Sequence, residues 1–445
     1  MKKVLIITYY WPPSGGAGVQ RWLKFTKYLR RFGWEPIIYT ADSPEYPIID
    51  LSLEKDIPKD ITILKQAIWE PYQLYKKLIG QKKDERVVSG FLQEKGRRDW
   101  AQKLSLWLRG NVFIPDARRF WISPSIKYLV RWIKENSVDA IVTTGPPHSM
   151  HLIGKGLKQK TGIPWLADFR DPWANIDFAG DLNMTAYAKR KNLSLEKSVL
   201  DIADAVVVVS DLMAEEFRSK TKTPVTVITN GFDPDDFSVP DNLLKKTGDF
   251  SIVHTGSINN RRNHPALWGA LAELAEESAE FANLLKIRLI GKNDVSVEDD
   301  IKRYKLQKYT EYIDYLPHDL IIAEQKSATV LLLTINNFGD EESGFFSPKA
   351  TLTGKLFEYL AAGRPILMIG PKESQAADVI KECNAGAVAG FEDVAGIKKN
   401  ISSWFEKFRL NELEDLSGDV NRFSRVELTH AMSGLLSGIA KNEIW

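Results

Sequence analysis

Residues 353–370, TGKLFEYLAAGRPILMIG, read as a short helix, a stop and a buried strand. Leu356, Tyr359 and Leu360 recur at helical spacing and give the helix one apolar side. Lys355 and Glu358 lie three residues apart and share another side. Gly363 is placed to end the helix, and Pro365 prevents its continuation. Ile366 to Ile369 is an apolar run of strand length, closed by Gly370-Pro371. A carboxylate on a helix beside a parallel strand can accept two hydrogen bonds from a vicinal diol such as a ribose. The alternative reading of Lys355 and Glu358 is a solvated surface pair.

Composition narrows the possibilities. The chain has 445 residues, enough for two or three ordinary domains. Hydrophobic residues make up 44% and charged residues 27%, a globular mixture that can bury large cores. The net charge of +2 gives no general case for nucleic acid as a partner. The single cysteine, Cys383, excludes an internal disulfide and a cysteine-rich metal site, which fits a reducing, cytoplasmic setting. No apolar run is long enough to span a bilayer. The apolar start, VLIITYYW after Lys2-Lys3, runs into Pro12-Pro13 and a glycine loop without a small-residue cleavage site, so it reads as a first buried strand.

That strand opens a strand, glycine loop, helix, strand unit, the start of a doubly wound parallel sheet. Gly15, Gly16 and Gly18 allow close approach of a ligand to the backbone, and the N–H groups of the next helix favour an anion; a tight turn is the other reading. Arg21, just inside that helix, is a candidate anion contact or a surface charge. The spacing is not that of a nicotinamide or flavin fingerprint, and no cofactor is expected. Residues 66–121 interleave basic and aromatic side chains, from Trp69, Tyr72, Tyr75, Lys76 and Lys77 through Lys82, Lys83, Arg97, Arg98, Trp100 and Lys103 to Trp107, Arg109, Arg118, Arg119 and Trp121. This segment reads as a helical insertion with a solvated basic face, or as a surface for an anionic membrane or acidic acceptor.

Val138 to Thr143 is a strand, followed at its carboxyl end by TTGPPHSMHLIG with His148 and His151. Ligands of open parallel sheets bind outside such ends. The next strand ends in ADFRDPW, which places Asp168, Arg170 and Asp171 there; this is a polyol or phosphate site, or a buried salt-bridge corner covered by Trp173. DAVVVVS, residues 204–210, is a buried strand, and Asp211 to Lys220 a helix. The acidic group Asp233, Asp235 and Asp236 lacks the ligand spacing of a calcium loop and reads as a solvated turn; no metal is expected. Residues 238–249 are polar and without a period, so the domain boundary falls there. The pattern then restarts with FSIVHTGS, a basic loop and a long helix. The expected organisation is residues 1–240 as one domain with its insertion at 66–121, residues 250–422 as a second, and 423–445 as a closing helix.

Together PPSGGAG, ADAVVVVS, VTVITNGFDPDDF, FSIVHTGSINNRRN, KIRLIGK and KLFEYLAAGRPIL resemble the retaining GT-B glycosyltransferases of family 4 over nearly the whole chain. The resemblance implies two Rossmann-like doubly wound α/β domains facing across a cleft, the first binding the acceptor and the second a nucleotide-activated sugar, with the last helix crossing back to the first. It implies transfer of a sugar, most often from a UDP- or GDP-sugar, to a hydroxyl of a glycan or lipid-linked glycan in surface polysaccharide synthesis, without a metal, in the cytoplasm or at the inner face of the membrane.

The donor contacts implied by the resemblance are Gly256, Ser257, Arg261, Arg262, Gly291, Gly344, Phe345, Lys355, Leu356 and Glu358. Ser257 stands where the family has an arginine, with Arg261-Arg262 near the place of its lysine. Glu358 matches the glutamate that holds the ribose, and Ala350, eight residues earlier, stands where its partner glutamate should be. Glu341, Glu342 or Lys349 would then meet the sugar instead. Gly15 and Gly16 match the loop near the phosphates, with Arg21, Asp168 and Arg170 beside the acceptor. His148 is the nearest match to the histidine close to the reacting sugar. His148, Asp171 and Arg262 are accordingly the expected catalytic set, with no protein nucleophile, because the leaving diphosphate assists the acceptor hydroxyl. The rival readings are a GT-B sugar-nucleotide epimerase, and a binding protein that keeps the fold without the chemistry.

Overall fold

The computed structural model describes residues 1–46, 48–70, 99–174, 183–244, 248–338, 348–413 and 418–441. The chain forms two compact units. The first takes Met1–Thr229 and Arg425–Trp445; the second takes Asn230–Ser343 and Ser347–Ser424.

In the first unit, β1 (Lys2–Ile7) leads through the glycine loop into α1 (Ala17–Leu29), and β2 (Trp34–Asp42) and β3 (Thr62–Ala67) follow. Next come α2 (Asp99–Asn111), α3 (Ile122–Glu135), β4 (Ala140–Gly145), α4 (Ser149–Thr161), β5 (Trp165–Phe169), α5 (Ala186–Leu200), β6 (Ala205–Val208), α6 (Asp211–Lys220) and β7 (Val225–Val227). The seven strands lie in the order β3-β2-β1-β4-β5-β6-β7, and every pairing is parallel. Parallel strands covered on both faces read as continuous apolar runs, and β4 and β6 are buried throughout.

The second unit repeats the plan. It contains β8 (Phe250–Thr255), α7 (Pro265–Glu277), α8 (Ala279–Leu284), β9 (Leu285–Ile290), α9 (Val295–Arg303), β10 (Thr310–Ile313), α10 (His318–Ser327) and β11 (Val330–Thr334). It continues with α11 (Gly354–Ala362), β12 (Ile366–Ile369), α12 (Gln375–Glu382), β13 (Gly386–Ala389) and α13 (Val394–Arg409). Six parallel strands take the order β10-β9-β8-β11-β12-β13. The helix and strand expected within 353–370 are present as α11 and β12, and Gly363 caps α11 in the left-handed conformation at φ 73°. The last helix, α14 (Arg425–Ala440), belongs to the first unit. Its Leu428, Met432 and Leu436, one helical turn apart, join Val19, Trp22 and Leu23 of α1 in one core.

Both sheets reverse direction of winding once, between β1 and β4 and between β8 and β11. Such a switch point opens a crevice at the carboxyl ends of the strands. The residues that follow those four strands are therefore the ones placed to meet a ligand.

In the first unit Arg21 is not the surface charge that the sequence allows, and Asp168 forms the buried salt-bridge corner that is the other reading of ADFRDPW. Both are buried; Arg21 Nη2 lies 2.8 Å from Asp168 Oδ1. Arg21 also donates to the carbonyls of Ile228 and Thr229 at 2.8 and 2.7 Å. Asp168 Oδ2 accepts from Trp22 Nε1 at 2.7 Å and Thr144 Oγ1 at 2.9 Å. The pair thus ties α1 to β4, β5 and the end of β7. The span 66–121 is also not uniform. Gln66 and Ala67 complete β3, Trp121 stacks on Tyr39 in the core at 4.9 Å, and Arg118 pairs with Glu70 at 3.2 Å. Tyr72, Tyr75, Lys76, Lys77, Lys82, Lys83, Arg97 and Arg98 lie outside the described residues.

Removing one partner of a buried, hydrogen-bonded ion pair leaves a bare charge, at a cost of about 3–5 kcal/mol. Arg21→Met is expected to lower the stability of the first unit by that amount in urea unfolding followed by tryptophan fluorescence. The double variant Arg21→Met/Asp168→Leu is expected to recover much of the loss. A single variant as stable as the parent contradicts this account of the pair.

Candidate nucleotide-sugar site

The second unit brings most of the expected donor residues to its switch point. Gly256 follows β8 directly and has φ +104°, a conformation open to glycine; a Cβ there would sit 2.8 Å from Lys355 Nζ. Gly291 follows β9 with φ +117°, and its Cβ would sit 2.8 Å from the carbonyl oxygen of Gly256. The Gly256 N–H donates to Ile290 O at 2.7 Å, and the Gly291 N–H to Ile313 O at 2.8 Å. Two bare backbone turns are therefore stacked at the ends of adjacent strands, with the lysine side chain lying across the upper one.

Lys355 and Glu358 are not paired as on a solvated surface. Lys355 Nζ lies 3.3 Å from His254 Nε2. His254 is buried in β8, and its Nδ1 is 2.9 Å from Leu332 O. A carbonyl only accepts, so Nδ1 carries the proton and Nε2 offers a lone pair to Lys355. Burial, and then the Lys355 charge, holds the His254 imidazole well below its ordinary value and keeps it neutral. Burial, and then the Arg262 guanidinium, pulls the Lys355 ammonium down to about 7, while Glu358 opposes the shift.

Glu358 is half-buried, and its Oε2 accepts from Gln325 Nε2 at 3.0 Å. Gln325 Nε2 also reaches Thr255 Oγ1 at 3.2 Å. The hydroxyl of Tyr359 accepts the Thr255 N–H at 3.0 Å, and burial pushes this phenol up to about 12. These contacts fix the carboxylate through one oxygen; Oε1 makes no hydrogen bond among the described residues. Leu356 places its side chain in the core and has only backbone to offer a ligand. The start of α11 has no side-chain cap, and the buried Thr353 Oγ1 has no partner among the described residues. An uncapped helix start favours an anion.

The loop after β8 is tied to the loop after β11. Asn259 caps a short turn by accepting the Arg262 N–H at 3.0 Å. Arg262 Nε donates to Asn336 Oδ1 at 2.9 Å, and the Asn337 N–H donates to Arg261 O at 2.7 Å. The Arg261 guanidinium lies 5.0 Å from the centre of the Phe338 ring. Ser257 is half-buried beside Gly256. Gly344, Phe345, Glu341 and Glu342 lie outside the described residues; Lys349 is exposed.

The first unit forms a separate cluster at the ends of β4 and β5. His148 stacks on Trp173 with rings 4.9 Å apart, and His151 on Phe169 at 4.2 Å. Gly145 sits between the imidazoles; a Cβ there would be 2.6 Å from His151 Nε2 and 3.0 Å from His148 Nδ1. The His148 ring lies beside the Pro172 backbone, and burial, then His151, drives its imidazole well below the ordinary range. Burial and the Arg170 charge take His151 to about 3. Both rings are neutral at physiological pH. Arg170 donates to the carbonyls of Gly18, Gly145 and Pro146, so it clamps the glycine loop to the loop after β4. Asp171 is exposed next to it. Gly15 donates its N–H to Ile48 O at 2.9 Å, and Gly16, at φ 87°, stands at the uncapped start of α1.

His254, Gln325 and Asn336 escaped the sequence reading. A histidine inside FSIVHT and a glutamine inside an amphipathic helix look like core and surface residues; only the register of β8 against β11 and α11 reveals them.

Residues 72–236 match the family described as Glycosyltransferase Family 4. No curated protein matches the chain in sequence. Among solved structures, the chain is similar to sucrose-phosphate synthase from Thermosynechococcus elongatus, with TM-score 0.63, 14% identity, and 99% of this chain and 100% of that one covered. It is similar to Anabaena Alr3699/HepE in complex with UDP, with TM-score 0.62, 13% identity, and 98% and 100% covered. It is also similar to WaaG, a glycosyltransferase involved in lipopolysaccharide biosynthesis, with TM-score 0.53, 13% identity, and 98% and 100% covered. The chain therefore has the GT-B fold of two Rossmann-like parallel-sheet units, and its first unit carries a glycosyltransferase-family segment.

Alanine at Gly291 must displace backbone, since the carbonyl of Gly256 occupies the space, and a side chain at φ +117° adds strain. Gly291→Ala is expected to cost about 1–3 kcal/mol in urea unfolding of the second unit. An unchanged unfolding midpoint contradicts the stacked-turn description.

Proposed function

We propose that this protein is a glycosyltransferase that transfers a sugar from a nucleotide-activated donor to a hydroxyl of a glycan or lipid-linked glycan, with retention of anomeric configuration. The observation that carries this reading is the grouping of Gly256, Arg262, Lys355 and Glu358 at the switch point of the second sheet. In this reading Glu358 receives the ribose diol on the carboxylate oxygen that Gln325 leaves open. The diphosphate lies against the bare backbone at Gly256, within reach of Arg262, Lys355 and the uncapped start of α11. Ser257, Arg261, Gly291 and the backbone of Leu356 line the same crevice; Gly344 and Phe345, which the resemblance adds, lie outside the described residues.

Catalysis of this transfer requires stabilising the negative charge that develops on the departing diphosphate. Arg262 and Lys355 supply positive charge without a metal. A UDP-sugar is the favoured donor, supported by the UDP complex of the similar Anabaena protein. Retention follows the resemblance of the sequence motifs to retaining enzymes, with the leaving phosphate accepting the proton of the acceptor hydroxyl. The first unit supplies the acceptor side. In this reading His148, kept neutral by burial, and Asp171 position the acceptor or the reacting sugar. Gly15 and Gly16 offer backbone N–H groups, and Arg170 holds their loop in place.

Among the described residues no helix is long and apolar enough to cross a membrane. A lipid-linked acceptor is met, in this reading, at the inner face of a membrane through part of the basic and aromatic span 66–121. Its exposed Trp69, Trp107 and Phe120, beside Arg109 and Arg119, support that contact.

The test is a panel of UDP-, GDP-, ADP- and dTDP-glucose followed by thermal shift. A ligand at one hundred times its Kd stabilises the native state by about 2.7 kcal/mol. UDP-glucose is expected to raise the melting temperature most. Glu358→Ala is expected to weaken its binding roughly 10- to 100-fold, the value of a hydrogen bond to a charged group. A parent protein that no member of the panel shifts, or a Glu358→Ala variant that binds as the parent does, contradicts the proposal.

A further inference from the structure

Beyond holding a donor, the end of β8 is built to change its own charge. Lys355 Nζ is enclosed by three charged or titratable groups from the elements around it: His254 of β8, Arg262 of the loop after β8, and Glu358 one turn along α11. Nδ1 is committed to Leu332 O, which leaves Nε2 to accept from Lys355 at 3.3 Å, with the Ser257 backbone also beside the ring. The imidazole therefore accepts from Lys355 and never competes with it as a cation. Gly256 contributes the space, since any side chain there would meet Nζ.

We propose that Lys355 takes up a proton as the diphosphate of a nucleotide-activated sugar enters, and that His254 is the positioning residue that holds its Nζ over Gly256 to do so. This rests on the reading of the site as a nucleotide-sugar site. The balance is simple. In the free protein Lys355, beside Arg262 and removed from water, exists partly as the neutral amine near neutral pH. The diphosphate bridge brings negative charge to the same place and favours the ammonium. One proton passes from solvent to Nζ, and no covalent bond of the ligand changes. Binding weakens as pH rises from about 7, the value in the free protein, to the higher value that the lysine takes in the complex. His264 does not share the event, since burial holds it near 4.

The test is titration calorimetry of the intact protein at pH 8 with UDP-, GDP-, ADP- and dTDP-glucose, in buffers of different ionisation enthalpy. These diphosphodiesters have no phosphate group that titrates near this pH. The expected result is net uptake of a substantial fraction of one proton per ligand bound. Lys355→Arg, always charged, is expected to bind with no uptake. Lys355→Gln is expected to bind roughly 10- to 100-fold more weakly and also without uptake. His254→Leu is expected to lose both affinity and uptake, and His254→Gln, which keeps an acceptor, to recover affinity. Binding without proton uptake, uptake that persists in Lys355→Arg, or a His254→Leu variant identical to the parent each overturn the inference while leaving the donor site standing. Failure of every sugar nucleotide to bind overturns the reading of the site itself, and this inference with it.

Discussion

Much in the second unit depends on the absence of a side chain at Gly256. The end of β8 must bring backbone against the turn at Gly291 and leave room for Lys355 Nζ above it, and a Cβ would lie 2.8 Å from that nitrogen. Once this space exists, the rest follows locally. Lys355 can fold back over its own sheet and find His254, Glu358 is turned toward Gln325, and the start of α11 faces the crevice without a cap. The site proposed for a charged, diol-bearing ligand is thus assembled from backbone turns and one helix face.

The first unit solves a related problem differently. Its switch-point loops are held by cations turned inward: Arg21 bridges α1 to Asp168 and the end of β7, and Arg170 joins the glycine loop to the loop after β4. These arginines hold the shape of the loops, beside the buried, neutral imidazole of His148. Buried charge serves the fold here, whereas in the second unit the partly buried charges are those assigned to the ligand in the proposed function.

The fold was legible because both signals for it are local. Continuous apolar runs such as DAVVVVS can only be buried strands, and Gly363 with Pro365 can only end a helix. The helix Asp211–Lys220 was read to the residue, while the strand read as Val138–Thr143 lies at Ala140–Gly145, two residues on at each end, where strand pairing and not composition sets the limit. The grouping of candidate residues was legible where the residue type is unusual for its place, as with Gly256 and Glu358, which the structure brings to one switch point. They stayed open where one side chain has two opposite fates. Asp168 reads as a ligand contact or a buried salt-bridge corner and Arg21 as an anion contact or a surface charge, and only the register of β4 and β5 against α1 shows that they meet inside. His254 and Gln325 carry no local signal, since their partners lie 101 and 33 residues away.

The most direct measurement is a crystal structure of the protein grown or soaked with UDP-glucose. The account predicts density for the ribose at the Glu358 carboxylate, with the diphosphate against Gly256 and within hydrogen-bond reach of Lys355 and Arg262. A nucleotide bound elsewhere on the chain, or one whose ribose and diphosphate avoid those residues, would contradict it.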